Sequence, residues 1–106
     1  MGRRSKYGNI RVKLDGITFD SKAESYRYLA LKDMHSRCEI SNLEMQPKFP
    51  ISIEGRHICN YFADFRYCRQ GESVVEDVKG VKTAVYRLKK KMVEAQYGIK
   101  IVEITR

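Results

Sequence analysis

The stretch Val74-Val75-Glu76-Asp77-Val78-Lys79 has the valine content of a buried strand yet carries two carboxylates and a lysine. Branched apolar side chains favour a packed sheet, whereas a charge can be buried only beside a partner or a cation. Any fold that holds this segment must therefore account for three charges on a strand that belongs inside. Strand alternation sends Val75, Asp77 and Lys79 to one face and Val74, Glu76 and Val78 to the other.

The neighbouring segments set the order of elements. Arg56 to Tyr67 reads as a strand with Ile58, Asn60, Phe62, Asp64 and Arg66 on one face and Cys59, Tyr61, Ala63, Phe65 and Tyr67 on the other. The "RQGES" turn at Gly71 folds Val74–Lys79 back on it as a hairpin, so Asp64 and Asp77 can converge. Upstream, Ile10–Leu14 and Ile17–Phe19 flank Asp15-Gly16 as an N-terminal hairpin. Ser21-Lys-Ala-Glu24 has the pattern of a capping box opening a helix to about Arg37, with Ala23, Ala30, Leu31 and Met34 on one face and Glu24 at its edge. Ile40 to Ile53 is extended and bent by Pro47 and Pro50, which suits an edge strand. After Gly80, residues Val81, Val85, Leu88, Met92 and Ala95 recur at helical spacing to about Tyr97, and Gly98 leads into a last strand, Ile99–Ile104. The expected order is hairpin, helix, three strands, helix, strand: one α/β domain over residues 9–106, preceded by a flexible basic arm at residues 1–8.

With 106 residues, 42% hydrophobic and 32% charged, the chain suits a single folded domain. Twenty-one basic against thirteen acidic residues give a net charge of +8 and favour a polyanionic partner, nucleic acid first, although a basic balance also serves solubility. Cys38, Cys59 and Cys68 lack zinc or redox spacing and are expected to be buried small hydrophobes in a reducing compartment. No secretory or membrane-crossing run is visible, so a cytoplasmic location is expected.

Two carboxylates close together repel each other, and a divalent cation relieves both the repulsion and the cost of burial. Magnesium takes hard oxygen ligands, commonly one or two carboxylates completed by water and phosphate oxygens. Paired acids in a basic protein thus suit a metal holding a phosphodiester, with Lys79 either positioning the attacking water or stabilising the transition state. Glu76 falls on the face opposite Lys79, where a cross-strand salt bridge is expected, leaving Asp77 as the ligand candidate.

Ala63-Asp64 followed by Asp77-Val78-Lys79 resembles the signature of the PD-(D/E)XK nuclease superfamily, with alanine in place of the commonly replaced proline. The segments "GITFDSKAE", "ISNLEMQPKF", "YFADFRY" and "VVEDVKGVKTAVYRLKKK" further resemble a family of small phage-associated nuclease-like proteins, often catalogued without assigned function. The resemblance implies a restriction-endonuclease-like core with a mixed sheet. It implies DNA cleavage with Mg2+ or Mn2+, Asp64 and Asp77 as ligands, Lys79 as the catalytic lysine and a phage- or prophage-encoded protein in a bacterial cell. Some relatives, phage Holliday-junction resolvases among them, use a first-helix glutamate at the metal site, and Glu24 matches that position. A capping role alone also accounts for Glu24.

Lys82, Lys89 and Lys90 lie on the second helix, whose basic edge starts just after Lys79 and is expected to meet phosphates. Gln46, beside Pro47, is a candidate for the same cleft, and Arg3, Arg4 and Lys6 would add sequence-independent phosphate contacts. No base-reading motif is present, so selectivity for DNA shape, such as a branched junction, is expected, with two sites and hence a homodimer for cutting both strands. A non-catalytic DNA-binding or recombination accessory protein, or a protein-interaction regulator, are the alternatives.

Overall fold

The computed structural model describes residues 10–105. The arm Arg3, Arg4 and Lys6 lies outside the described residues. The elements are β1 (Val12–Leu14), β2 (Ile17–Phe19), α1 (Lys22–Ser36), β3 (Ser41–Met45), β4 (Lys48–Ile53), β5 (Arg56–Phe62), β6 (Phe65–Arg69), β7 (Glu72–Lys79), α2 (Ala84–Tyr97) and β8 (Ile101–Thr105).

A four-stranded mixed sheet in the order β3-β6-β7-β8 forms the centre. β6 is antiparallel to β3 and β7, and β8 runs parallel to β7 after the crossover through α2. The expected hairpin of two antiparallel strands ending at Lys79 is present, with Phe65 opposite Glu76. The expected α/β architecture with its N-terminal hairpin is likewise present, and Asp15 and Gly16 turn that hairpin at φ 51° and 77°, both in the left-handed region that a tight Asp-Gly turn requires.

Between the helices there are five strands where three were expected. The segment 40–53 divides into β3 and β4, and Arg56–Tyr67 divides into β5 and β6. β4 and β5 make a separate antiparallel hairpin, in which Pro50 is tolerated because β4 has no other strand beside it among the described residues. The strand breaks at Ala63-Asp64, where the chain changes partners: the Ala63 N–H donates to the Pro47 carbonyl at 3.1 Å, and the Asp64 N–H donates to the Glu76 carbonyl at 3.1 Å. No glycine or proline marks this corner.

Two apolar clusters cover the two faces of the sheet. Val78 packs with Phe19, Tyr28, Leu31, Phe65 and Tyr67 on the side of α1, and Val75 packs with Phe49, Tyr61, Tyr86, Val93 and Ile101 on the side of α2. The alternation expected for β7 is therefore realised.

Both helices are capped as their sequences suggest. Ser21 Oγ accepts the Glu24 N–H at 3.2 Å, Thr83 Oγ1 accepts the Tyr86 N–H at 3.1 Å, and Gly98 closes α2 at φ 64°. Their buried faces differ from the expected stripes. Ser25, Tyr28 and Leu31 are the buried positions of α1, and Ala30 is exposed. In α2 the buried positions are Tyr86 and Val93, while Val85, Leu88 and Ala95 face solvent and Met92 is only partly covered. Tyr86 carries more buried area than a valine or leucine, and its position one residue beyond Val85, about 100° round the helix, rotates the buried face toward it. Cys38 is exposed and Cys59 and Cys68 are half-buried, all three as free thiols, so the expectation of buried cysteines is corrected. Among the described residues no helix is long and apolar enough to cross a membrane.

Candidate active site

The corner at Ala63-Asp64 places the Asp64 side chain against β7, where its Oδ2 accepts the Val78 N–H at 2.7 Å. Burial, the largest influence, pushes the Asp64 carboxyl above the usual range, against the opposing pull of that N–H and of Lys79. Asp77 is fully buried, and neither carboxylate oxygen has a hydrogen-bond partner among the described residues. Its nearest counter-charge is Lys79, with Nζ 3.9 Å from Oδ1. Burial pushes its carboxyl up to about 6, partly opposed by Lys79 and by the backbone N–H of Asp64.

Glu24 enters from the first turn of α1. Its side chain reaches back to the Asp20 N–H at a long 3.4 Å, one residue before the N-cap, so the capping box closes only loosely. Burial first, then the nearby charges of Asp64 and Asp20, push it up to about 7. Capping alone does not account for a carboxylate held among other acids.

Glu24, Asp64, Lys79 and Gln46 line one cavity of about 450 Å3, and Asp77 lies behind its wall next to Lys79. Gln46 takes φ 55° between β3 and β4, its N–H donates to the Asp64 carbonyl at 2.8 Å, and its side chain donates to the Thr18 carbonyl at 3.1 Å. The catalytic and accessory candidates read from the sequence thus come together at one end of the sheet.

The remaining candidates do not. Lys82 and Lys90 turn to Glu103, at 3.1 and 3.6 Å, and line a separate depression on α2 with Arg87 and Lys91. Lys89 donates to the Asn60 carbonyl at 3.3 Å, beside β5. Glu76 is buried, and its partner comes from α1 in place of the expected cross-strand salt bridge: Arg27 donates Nε and Nη2 to its two oxygens at 2.8 and 2.7 Å, and Tyr67 adds its hydroxyl. The register explains the change, because the residue opposite Glu76 is Phe65.

Sequence reading passed over Arg11 and Phe62, which line the cavity, and Tyr86, whose ring lies 4.6 Å from Lys79 Nζ. The Tyr86 hydroxyl donates to Glu103 Oε2 at 2.8 Å, so Lys79 rests on an aromatic face that is itself fixed to β8. For Phe62 a signal existed, since alternation places it on the same face as Asp64.

A divalent cation fits the donor set. Asp77 presents two buried oxygens without a close hydrogen-bond partner among the described residues, with Lys79 at 3.9 Å, and Asp64 keeps one oxygen beyond its bond to Val78. Among the described residues no group of three or more His, Cys, Asp or Glu forms a ready cage. A cation held by Asp64 and Asp77 would complete its shell with water and phosphate oxygens, which is the habit of magnesium.

No curated protein matches the sequence. One family model does, over residues 4–106, and its description is "Protein of unknown function (DUF1064)". That match spans nearly the whole chain, the carboxylate cavity included, and the protein belongs to this DUF1064 family.

Proposed function

We propose that this domain is a Mg2+- or Mn2+-dependent endodeoxyribonuclease of the PD-(D/E)XK kind, selective for branched DNA such as a Holliday junction. The observation that carries the reading is Asp77, a buried carboxylate with both oxygens unsatisfied, beside Asp64 and Lys79 at the end of a strand in a strongly basic chain. A stability role explains it poorly, because a buried carboxylate with one lysine at 3.9 Å and no close hydrogen bond is a cost to folding.

In this reading Asp64 and Asp77 hold the cation, with Glu24 beside them. When bound, the cation supplies Lewis acidity to the phosphate and acidifies water. Lys79, held over Tyr86, donates to a phosphate oxygen and stabilises charge as the phosphorus is attacked. Glu24, in the same cavity, would take the proton of the attacking water, while the phosphorus gains that oxygen, one bridging P–O bond breaks and the departing oxygen takes a proton from solvent. Arg11, on the cavity rim, neutralises a flanking phosphate, and Lys82, Lys89, Lys90 and the arm Arg3, Arg4 and Lys6 extend the contact to the backbone. Exposed Val85 and Leu88 on α2, with Val81 before it, support a homodimer that brings two sites to one junction. Such a protein would work in the cytoplasm of a bacterial cell on phage or prophage DNA.

The deciding experiment compares cleavage of labelled linear duplex, single strand, flap and four-way junction by the wild type and Asp77→Asn, with magnesium, manganese or EDTA. Cation-dependent cutting that the substitution lowers by at least about 100-fold is expected, as for loss of a group aimed at developing charge. Tight binding by both proteins without cutting on any DNA would reduce the site to a DNA-binding surface.

A further inference from the structure

We propose that Phe62 is a stacking platform for an unpaired nucleobase, which makes DNA with already unstacked bases the substrate class. The inference rests on the nuclease reading for its ligand, DNA, and on the structure for its residue. Phe62 is 58% exposed, yet it lines the same cavity as Asp64 and Lys79. A lone exposed phenylalanine is ordinary on a protein surface, but this one opens onto a cavity otherwise walled almost wholly by polar and charged side chains.

Its direction is fixed. Tyr61 and Ala63 on either side are buried in the core, so alternation commits Phe62 outward, and pairing with Lys48 holds the end of β5 in place. Ile58, the bulged residue of β5, is also exposed, at 53%. Between them in sequence, the Asn60 carbonyl holds the Lys89 ammonium at 3.3 Å. The aromatic face thus shares its cavity with two cations, Arg11 and Lys79. Aromatic rings interleaved with cations suit a single-stranded segment, whose bases offer π-faces while its phosphates meet the charges. A fully paired duplex keeps those faces in its own stack, so the preference is for a gap, a flap or the opened centre of a junction.

The test is binding in EDTA, where cleavage cannot interfere, of matched fluorescent duplexes with and without a two-nucleotide gap carrying 2-aminopurine. The wild type should prefer the gapped duplex and quench the 2-aminopurine. In Phe62→Ala, and in Phe62→Leu, which keeps an apolar side chain, the affinity ratio of gapped over paired duplex should fall about tenfold and the quench should disappear. Phe62→Trp should retain both. If the leucine and tryptophan variants keep the same ratio and differ from the wild type on neither DNA, stacking is overturned while the nuclease reading stands on its own cleavage result. If the wild type binds none of these DNAs, the DNA reading and this inference fall together.

Discussion

Burial acts against ionisation at Glu24, Asp64 and Asp77, and the charge of Lys79 opposes it at all three. Asp77 titrates near 6 and Glu24 near 7 in the folded chain, above the ordinary carboxylate range of about 4. Raised carboxyl pKa values mean that the folded state binds more protons than the unfolded chain, so stability without metal falls as pH climbs from about 4 through about 7. Asp77→Asn should therefore raise the Tm of the metal-free protein at pH 8, by a free energy on the order of 2 kcal/mol, with the gain shrinking toward pH 4. Magnesium should raise the Tm of the wild type at pH 8 and leave Asp77→Asn unmoved, as differential scanning fluorimetry can check. A wild type indifferent to magnesium, or a variant that melts lower at pH 8, would contradict this account. Asp77 and the nearby Lys79 were legible in the sequence because alternation along β7 fixes their direction, and Asp64 was legible as a neighbour through the hairpin at Gly71, although the corner and not alternation aims its side chain. The support for Lys79 was not, since nothing local links it to Tyr86 seven residues on.

At the scale of elements, α1 is fastened to the sheet by a buried ion pair. Arg27 lies one helical turn beyond Glu24, and its fork on Glu76 fixes how close the first turn of α1 comes to Asp64, whose N–H is bonded to the Glu76 carbonyl. Arg27→Ala leaves Glu76 buried with only the Tyr67 hydroxyl, and should cost about 3–5 kcal/mol in denaturant unfolding. The double substitution Arg27→Met with Glu76→Leu should recover most of that stability. If Arg27→Ala melts within a degree of the wild type, the pair is not what holds α1. A lone arginine on a helix gives no sign of such a partner in the sequence. The missed corner at Ala63-Asp64 has a related cause: with no turn residue there, the burial periodicity runs on unbroken from β5 into β6, while the chain changes hydrogen-bond partners and the four residues expected on one face divide, Tyr61 and Ala63 packing on the side of α2 and Phe65 and Tyr67 on the side of α1. The stripe expected for α2 failed because hydrophobic spacing alone cannot rank Leu88 against Tyr86, and the larger ring took the core position.

For the whole molecule, the apolar residues that α2 leaves in water, Val85 at 63% and Leu88 at 58% exposure, bear on assembly. If they join two copies, light scattering at micromolar concentration should give twice the mass of one chain, and Leu88→Glu should halve it with little change in Tm, because the side chain is exposed in the single domain. A monomeric wild type in the presence of a four-way junction would dismiss the dimer. Topology also sets a schedule. β7 pairs with β8 from Val75–Ile101 to Lys79–Thr105, so during synthesis the strand that bears Asp77 and Lys79 waits, with an open edge, for a segment made more than twenty residues later. The strand that carries the buried carboxylate therefore gains its second neighbour only once β8 has emerged, and a nascent chain stalled within α2 would be a candidate for aggregation.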